Sequence, residues 1–465
     1  MSVAPSSSRL ESLAIWHAAV FVVLCTWAFG GNHFGFRPAL ACWGAFAVPL
    51  AGLGLLSRRT ERSSRPFLIW LTPALLLIAF VLASTFNPNL KLIPLFDGEV
   101  YRPVTPIFGL PSAARPDLAW RGGLFFACLY LTGFNLALLV RRRRALRRLL
   151  WIMAINAIIL AVFGTLQRLL GLGLYFGAVK PPNPAFFATF IYHNHWGAFI
   201  IVMVGVCCAL VAHLARSDGT RDLWHSPIPS LILGILLLAA TPPLSSSRST
   251  SLLTLFFVSA AAIHGGWLLA TRRRAEGREW KTPLLATTLA LAVGFGAILF
   301  LAWPTIKQRA EKTAEQLRQM QDQGGLGQRA QLYRDTLKMA EAHPWAGWGL
   351  ESYETVFRRY NSYYRNPLDG LPIYYDEAHS DWLQSWAEIG LIGTGLLLSM
   401  ALIPLAMTGP KLRRDPVARY LLFGGALVAL YAWVEFPLSN PAVVLCLWIT
   451  WFAGIRHASL GSASP

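Results

Sequence analysis

Apolar residues fall along this chain in long blocks separated by short polar stretches. Twelve blocks approach the roughly 20 apolar residues a spanning helix needs. They are 13–30, 38–56, 67–86, 121–140, 149–172, 195–215, 229–244, 250–270, 283–303, 382–407, 417–436 and 440–455. The seventh is short and ends at Pro242-Pro243. The first is longer than a signal-peptide core and further spans follow, so it reads as a span and not a cleaved leader.

The polar stretches alternate in charge character. Arg58, Arg59, Arg62 and Arg65 lie between the second and third blocks, and Arg141–Arg144 with Arg147 and Arg148 between the fourth and fifth. Arg216 and Arg221, then Arg272–Arg274 with Arg278 and Lys281, then Lys411, Arg413, Arg414 and Arg419 continue the alternation. Arg9 and Arg456 belong to the same side. The positive-inside rule makes that side cytoplasmic and puts both termini there. Topology and anionic lipid account for these runs, so they imply no nucleic-acid partner.

Composition agrees. The 465 residues are 55% hydrophobic and only 14% charged, against about 25% charged in soluble domains. Mean hydropathy is +0.46 and net charge +18. This excludes a soluble enzyme, a DNA-binding protein, a secreted disulfide scaffold and a disordered chain. The expectation is an all-α polytopic membrane protein with about twelve transmembrane helices. Spans one to nine occupy 1–303, a large exterior loop 304–381, and the last three spans with a cytoplasmic tail 382–465. The six cysteines all fall within apolar blocks and have no metal-ligand spacing, so they read as core residues.

Two stretches on the exterior side are long: the proline-rich 87–120 and the loop 304–381. Loops of that length in a compact protein are usually functional. Residues 307–323 have helix-forming composition and read as a solvated connector. A second helix is predicted over 328–342, with Ala330, Tyr333, Leu337 and Ala340 as its buried stripe. His343-Pro344 ends it, and Trp345-Ala346-Gly347-Trp348-Gly349 forms a tight turn. Residues 351–375 carry Tyr353, Tyr360, Tyr363, Tyr364, Tyr374 and Tyr375, interleaved with Arg358, Arg359 and Arg365. That mixture suits sugar rings and phosphates, and equally an interfacial aromatic belt.

The loop re-enters the membrane through Glu377-Ala378-His379-Ser380-Asp381. Ser380 or Asp381 can cap the tenth span, leaving His379 just outside a helix N-terminus. The dipole there favours neutral imidazole, while Asp376, Glu377 and Asp381 pull the other way. A neutral histidine at a membrane rim can act as a general base, and a lone one is more often a cap or an interfacial residue. Arg248, among the hydroxyls of Ser245–Thr250, stands at an exterior boundary, either as a functional charge or snorkelling to the interface. Topology puts Arg248, Arg329 and His379 on one face. Two guanidiniums can hold a pyrophosphate, and the histidine can take a proton from an attacking hydroxyl. Arg334 is a further candidate of the same kind. His33 and Arg37, His193-Asn194-His195-Trp196 and Glu435 are weaker exterior candidates; Glu435 could be structural or cation-binding. Histidines at i and i+2 do not share a helix face, so no metal site is expected.

The stretch 328–393, GQRAQLYRDTLKMAEAHPWAGWGL followed by EAHSDWLQSWAEIGLIG, resembles the O-antigen ligase and O-antigen polymerase superfamily of GT-C-like membrane enzymes. Arg329, Pro344, Gly347, Gly349, His379, Leu383, Glu388 and Gly390–Gly393 occupy the family's motif positions. Ser247-Arg248 resembles its Ser-Arg pair, and Asn194 the Asn that follows its preceding large loop. Ser380 stands where the family often has Asn. The resemblance implies transfer of a glycan from an undecaprenyl-pyrophosphate donor, metal-independent and inverting. The acceptor would be a lipid-core sugar, a growing glycan or a protein hydroxyl. It implies His379 as the group that activates the acceptor, Arg329 and Arg248 on the pyrophosphate, and no cofactor. Arg334 joins the last group from the loop reading, and Asn194, Asp381 and Tyr375 are secondary candidates near the acceptor. A twelve-span transporter is the main competitor. The halves 1–230 and 231–465 share no repeat, and the candidate charges sit at the rim and not at mid-span. A non-catalytic scaffold is the third reading.

Overall fold

The computed structural model describes residues 5–59, 65–95, 98–173, 186–217, 226–277, 328–362 and 373–460, with scattered positions between 279 and 307. Its helices are α1 Pro5–Trp27, α2 Arg37–Ala45, α3 Ala47–Arg59, α4 Arg65–Thr85, α5 Pro116–Leu139, α6 Arg143–Leu169, α7 His193–Ser217, α8 Ile228–Leu244, α9 Arg248–Ala275, α10 Gln328–Ala342, α11 Tyr353–Phe357, α12 Asp381–Arg414, α13 Pro416–Tyr431 and α14 Pro441–Leu460. Among the described residues, nine segments are long and apolar enough to cross a membrane, α2 and α3 counting as one, and α8 and α13 are shorter apolar helices. These coincide with eleven of the twelve predicted blocks. The ninth block, 283–303, and the helix predicted over 307–323 lie largely outside the described residues. The chain is an all-α polytopic membrane protein with one small addition: a hairpin of β1 Leu90–Leu95 and β2 Gly98–Pro103.

Lipid offers no hydrophobic drive to pair helices, so close backbone approach and polar contacts have to do it. At Gly133 of α5 an added Cβ would sit 2.5 Å from the Trp448 carbonyl of α14. Asn156 of α6 accepts from Trp27 Nε1 (3.0 Å) and donates to Thr26 (3.1 Å), both on α1. Asp415 caps α13 through Val417 N (3.0 Å) and also takes His457 of α14 (2.7 Å) and Arg143 of α6 (3.2 Å), gathering three helix ends.

On the opposite end, α12 is broken and repaired by the turn that follows α10. Gly390 has φ +65 and ψ −175, which only glycine adopts freely. The broken ladder exchanges bonds with the turn after α10. Leu391 N donates to Pro344 O (2.9 Å) and Ile392 N to Trp345 O (3.1 Å). In return Trp348 N donates to Ala387 O (3.0 Å) and Gly349 N to Glu388 O (2.7 Å). The Glu388 carboxylate accepts from Glu351 N (3.1 Å) and Tyr353 N (2.9 Å). The backbones come so close that a Cβ on Gly347 would lie 2.3 Å from the Glu388 carbonyl.

Helix α10 forms over the predicted residues but is rotated from the predicted stripe. Leu332, Asp335, Thr336, Met339 and Ala340 are buried, and Leu337 is exposed. The reason is polar pairing. Asp335 accepts from Ser362 N (2.9 Å) and Gln331 (3.0 Å), and the Thr336 and Tyr353 hydroxyls meet at 2.7 Å. A satisfied polar group can be buried where hydropathy alone puts it outside.

The exchange at Gly390 predicts a specific loss. In Gly390→Ala the new Cβ would lie 2.2 Å from Trp345 O, at a backbone geometry that costs a non-glycine residue about 1–3 kcal/mol. The thermal midpoint of the detergent-solubilised protein should fall; an unchanged midpoint would mean that the turn does not dock on the break.

Candidate functional site

Helix α13 ends at Tyr431, and residues 432–440 form a turn before α14. Asp381, the first residue of α12, holds this turn from the side. Its carboxylate accepts from Leu438 N (2.7 Å), and its own N–H is shared between Ala432 O (2.9 Å) and Glu435 O (3.2 Å). Glu435 is thereby fixed with its side chain only 3% exposed.

His379 precedes the N-cap of α12, Ser380, whose hydroxyl accepts from Leu383 N (3.4 Å). Its φ is +53, a conformation that side-chain-bearing residues avoid. Three contacts hold it there. Tyr333 of α10 donates to its carbonyl (2.9 Å), its ring meets Phe436 edge-on (4.8 Å, 83°), and its Nδ1 lies 3.2 Å from Glu435 Oε2. An ionised carboxylate only accepts, so Nδ1 carries the hydrogen, and in the neutral ring Nε2 is the free base.

Arg329, at the start of α10, pairs through Nη2 with the other oxygen of the same carboxylate, Glu435 Oε1. Arg329 and His379, 50 positions apart in the chain, thus meet at one residue. The Arg329 side chain is 54% exposed, so much of the guanidinium still faces outward. Burial works to raise the Glu435 carboxyl, but the His379 hydrogen bond and the Arg329 charge outweigh it and hold it below the ordinary carboxylate range.

A polar chain continues from Glu435. Tyr192 donates to Glu435 Oε2 (3.4 Å) and accepts from Asn194 Nδ2 (2.8 Å). Ser247 donates to Asn194 Oδ1 (2.5 Å) and accepts from Thr250 (2.6 Å). Arg248 is the next residue, exposed at the first position of α9. Phe436 is the apolar counterpart: Tyr192 stacks on it (5.1 Å, 14°), and His195 lies edge-on to its ring with Nε2 3.1 Å from its carbonyl.

The sequence candidates therefore sort by position. His379 and Arg329 converge, and Asn194 and the Ser247-Arg248 corner join them through Tyr192. Asp381 is turned into the 432–440 turn and acts on Glu435 through the backbone. Arg334 is exposed on α10 and makes no side-chain hydrogen bond or ion pair among the described residues. Tyr375 packs edge-on to Phe357 (6.0 Å, 85°) in an apolar cluster that the loop shares with Leu90, Ala114 and Ala387. Arg358 lies over Tyr374 (5.2 Å), and Tyr363, Tyr364 and Arg365 lie outside the described residues. His33 packs on Phe29, Phe34 and Phe36 within its own hairpin. The acidic neighbours in sequence are not those that engage His379: Glu377 accepts from Gln384 (2.6 Å), and burial pushes its carboxyl up to about 8. Sequence reasoning left Glu435 between two minor roles and missed Tyr192. The available signal for Glu435 was an ionisable residue at the end of a span.

Residues 233–398 match the family model described as O-antigen ligase. The matched stretch contains Arg248, Arg329, His379 and the Gly347–Gly390 exchange; Tyr192, Asn194 and Glu435 lie outside it. A search of curated proteins finds no match to the chain.

Glu435 carries a pH prediction. A carboxyl held low in the folded protein adds stability that is complete above its unfolded value, about 4.3, and is lost as pH falls through the lower folded value. Glu435→Gln should lower the thermal midpoint at neutral pH, and the gap to wild type should narrow progressively as pH falls below about 4.3. A gap that persists in acid would place the stabilisation elsewhere.

Proposed function

We propose, from the match of residues 233–398 to the O-antigen ligase family model, that this chain transfers a glycan from an undecaprenyl-pyrophosphate donor to an acceptor hydroxyl. The reaction runs at the exterior face of the bacterial inner membrane, with both termini cytoplasmic. Spans 1–303 and 382–465 enclose the site, and the loop 304–381 supplies Arg329 and His379.

In this reading, His379 Nε2 takes the proton of the acceptor hydroxyl as its oxygen attacks the anomeric carbon. The carbon–oxygen bond to pyrophosphate breaks on the opposite face, inverting the centre, and the electron pair leaves with the phosphate oxygen. Arg329 and Arg248 meet that charge, with Arg334 as an outlying cation, and no metal takes part. Glu435 stabilises the imidazolium that forms and keeps Nδ1 protonated, the role a buried carboxylate plays behind a histidine base. Asn194 and Asp381 position the groups, and Tyr375 lines the acceptor side. The acceptor is a lipid-core sugar, a growing glycan or a protein hydroxyl.

The observation that carries the proposal is the single Glu435 carboxylate shared by Arg329 and His379, an anion-binding group beside an oriented base. The groups gather at the ends of α7, α9, α12 and α13 and not at mid-span, which favours transfer over transport.

Complementation of surface-glycan assembly in the native bacterium tests this. At equal membrane levels, His379→Ala should lower transfer by about 10²–10⁴-fold. Arg329→Lys, which keeps the charge and loses the fork, should be impaired as well. Long undecaprenyl-linked chains accumulating would identify a ligase, and single linked repeats a polymerase. Full glycan assembly by His379→Ala would defeat the catalytic assignment.

A further inference from the structure

The segment that follows α4 is built unlike an ordinary exterior loop. Asn87, buried two residues beyond the end of α4, spends its whole side chain on it. Its Oδ1 accepts from Ile107 N (2.7 Å), and its Nδ2 reaches Ile107 O (3.2 Å), Leu110 O (3.4 Å) and Pro111 O (3.2 Å). Its own carbonyl accepts from Ala113 N (3.3 Å). The 107–111 tip is therefore fixed at the height where a spanning helix ends. It turns at Gly109, which has φ +82.

What this fixed tip presents is apolar. Ile107 and Leu110 are more than half exposed, Phe108 is wholly exposed, and Phe86, at the root of the same segment, is mostly exposed. The helices on either side also expose apolar side chains: Leu75 and Leu76 of α4, and Trp120 and Leu124 of α5. In the same segment the hairpin sets Lys91 directly opposite Arg102, both exposed. Like charges facing across strands destabilise a hairpin in water. An anionic surface in front of them removes that penalty. The tip lies on the side of the candidate site, since Ala114 N donates to Trp348 O (2.7 Å) in the turn docked on α12.

We propose that Phe86 and the Ile107–Leu110 tip form a wedge seated in the lipid leaflet on the side of the site, with Lys91 and Arg102 among anionic headgroups. The occupant is the leaflet, because the segment joins α4 and α5, two helices long and apolar enough to span a membrane, and both carry exposed apolar side chains of their own. Aromatic residues collect at that depth of a bilayer, and basic side chains bind its anionic headgroups. The wedge is independent of the transfer chemistry. It fixes how deep the leaflet lies against the loop that carries Arg329 and His379.

The test uses the full chain in nanodiscs of phosphatidylethanolamine and phosphatidylglycerol, one chain per disc. Cys42, the one exposed cysteine among the described residues, is replaced by serine, and a nitrobenzoxadiazole dye is attached to Phe108→Cys. The Phe108 side chain is wholly exposed, so its replacement removes no buried packing. The reference is the same dye at Arg359→Cys, exposed on the exterior loop. Lipid carrying a nitroxide high on its acyl chain should quench the dye at 108 several-fold more than at 359, and aqueous iodide the reverse. Iodide quenching at 108 equal to that at 359, without nitroxide quenching, would put the tip in water and overturn the wedge. That result would leave the tip free for a soluble partner or a second copy.

Discussion

One buried carboxylate, that of Glu435, ties three distant parts of the chain to a single point. It lies in the turn between the last two spans, accepts the His379 ring on one oxygen and pairs with Arg329 on the other. A carboxylate this deeply buried is untenable alone. Its need for partners is what draws the start of α10 and the entrance of α12 together. Tyr192 adds a third donor from the segment before α7 and carries the connection to Asn194 and the Ser247-Arg248 corner.

Such a junction is useful only if its parts arrive at fixed positions, and the loop is fixed by backbone and not by side-chain packing alone. Gly390 opens α12, and the turn 344–349 fills the gap with four main-chain hydrogen bonds. A bare N–H or C=O near a membrane is costly enough that the break and the turn must come as a pair. Gly347 and Gly390 are glycines because their backbones nearly touch the opposite strand of the exchange. With the end of α10 anchored there and its start held at Glu435, the helix spans the distance as a strut. The strain at His379 is sustained by the same frame, since its carbonyl is held from α10 and its ring by the 432–440 turn.

The spans were legible in the sequence because lipid demands uninterrupted apolar runs, and α1 to α9 and α12 to α14 lie where those runs predict. Arg329 and His379 were legible as polar residues at helix ends, and the structure brings both to one carboxylate. The rest depended on contacts that no periodicity encodes. The α10 stripe was misjudged because Asp335 and Thr336 satisfy their polar groups inside, displacing Leu337 outward. Asp381 reads as a site residue from its position but spends its carboxylate on Leu438 N, and Glu377 spends its own on Gln384. Glu435 and Tyr192 act through partners more than 50 positions away, visible only once the helices are packed.

The charge balance at the junction also sets the division of labour between the arginines. As the protein stands, Arg329 is already neutralised by Glu435, and an incoming pyrophosphate would meet a pair of zero net charge. On the proposed reading, positive charge for the leaving group must therefore come from elsewhere. Arg248, exposed beside the polar chain, is the proposed second cation. The His379 imidazolium adds a further positive charge as it accepts the acceptor's proton, so positive charge rises at the site in step with the negative charge on the departing oxygen. Glu435 then faces two cations with one carboxylate. That arrangement loosens its hold on Arg329 at the moment the guanidinium is needed by the phosphate, which gives a reason for the base and the arginine to share one partner.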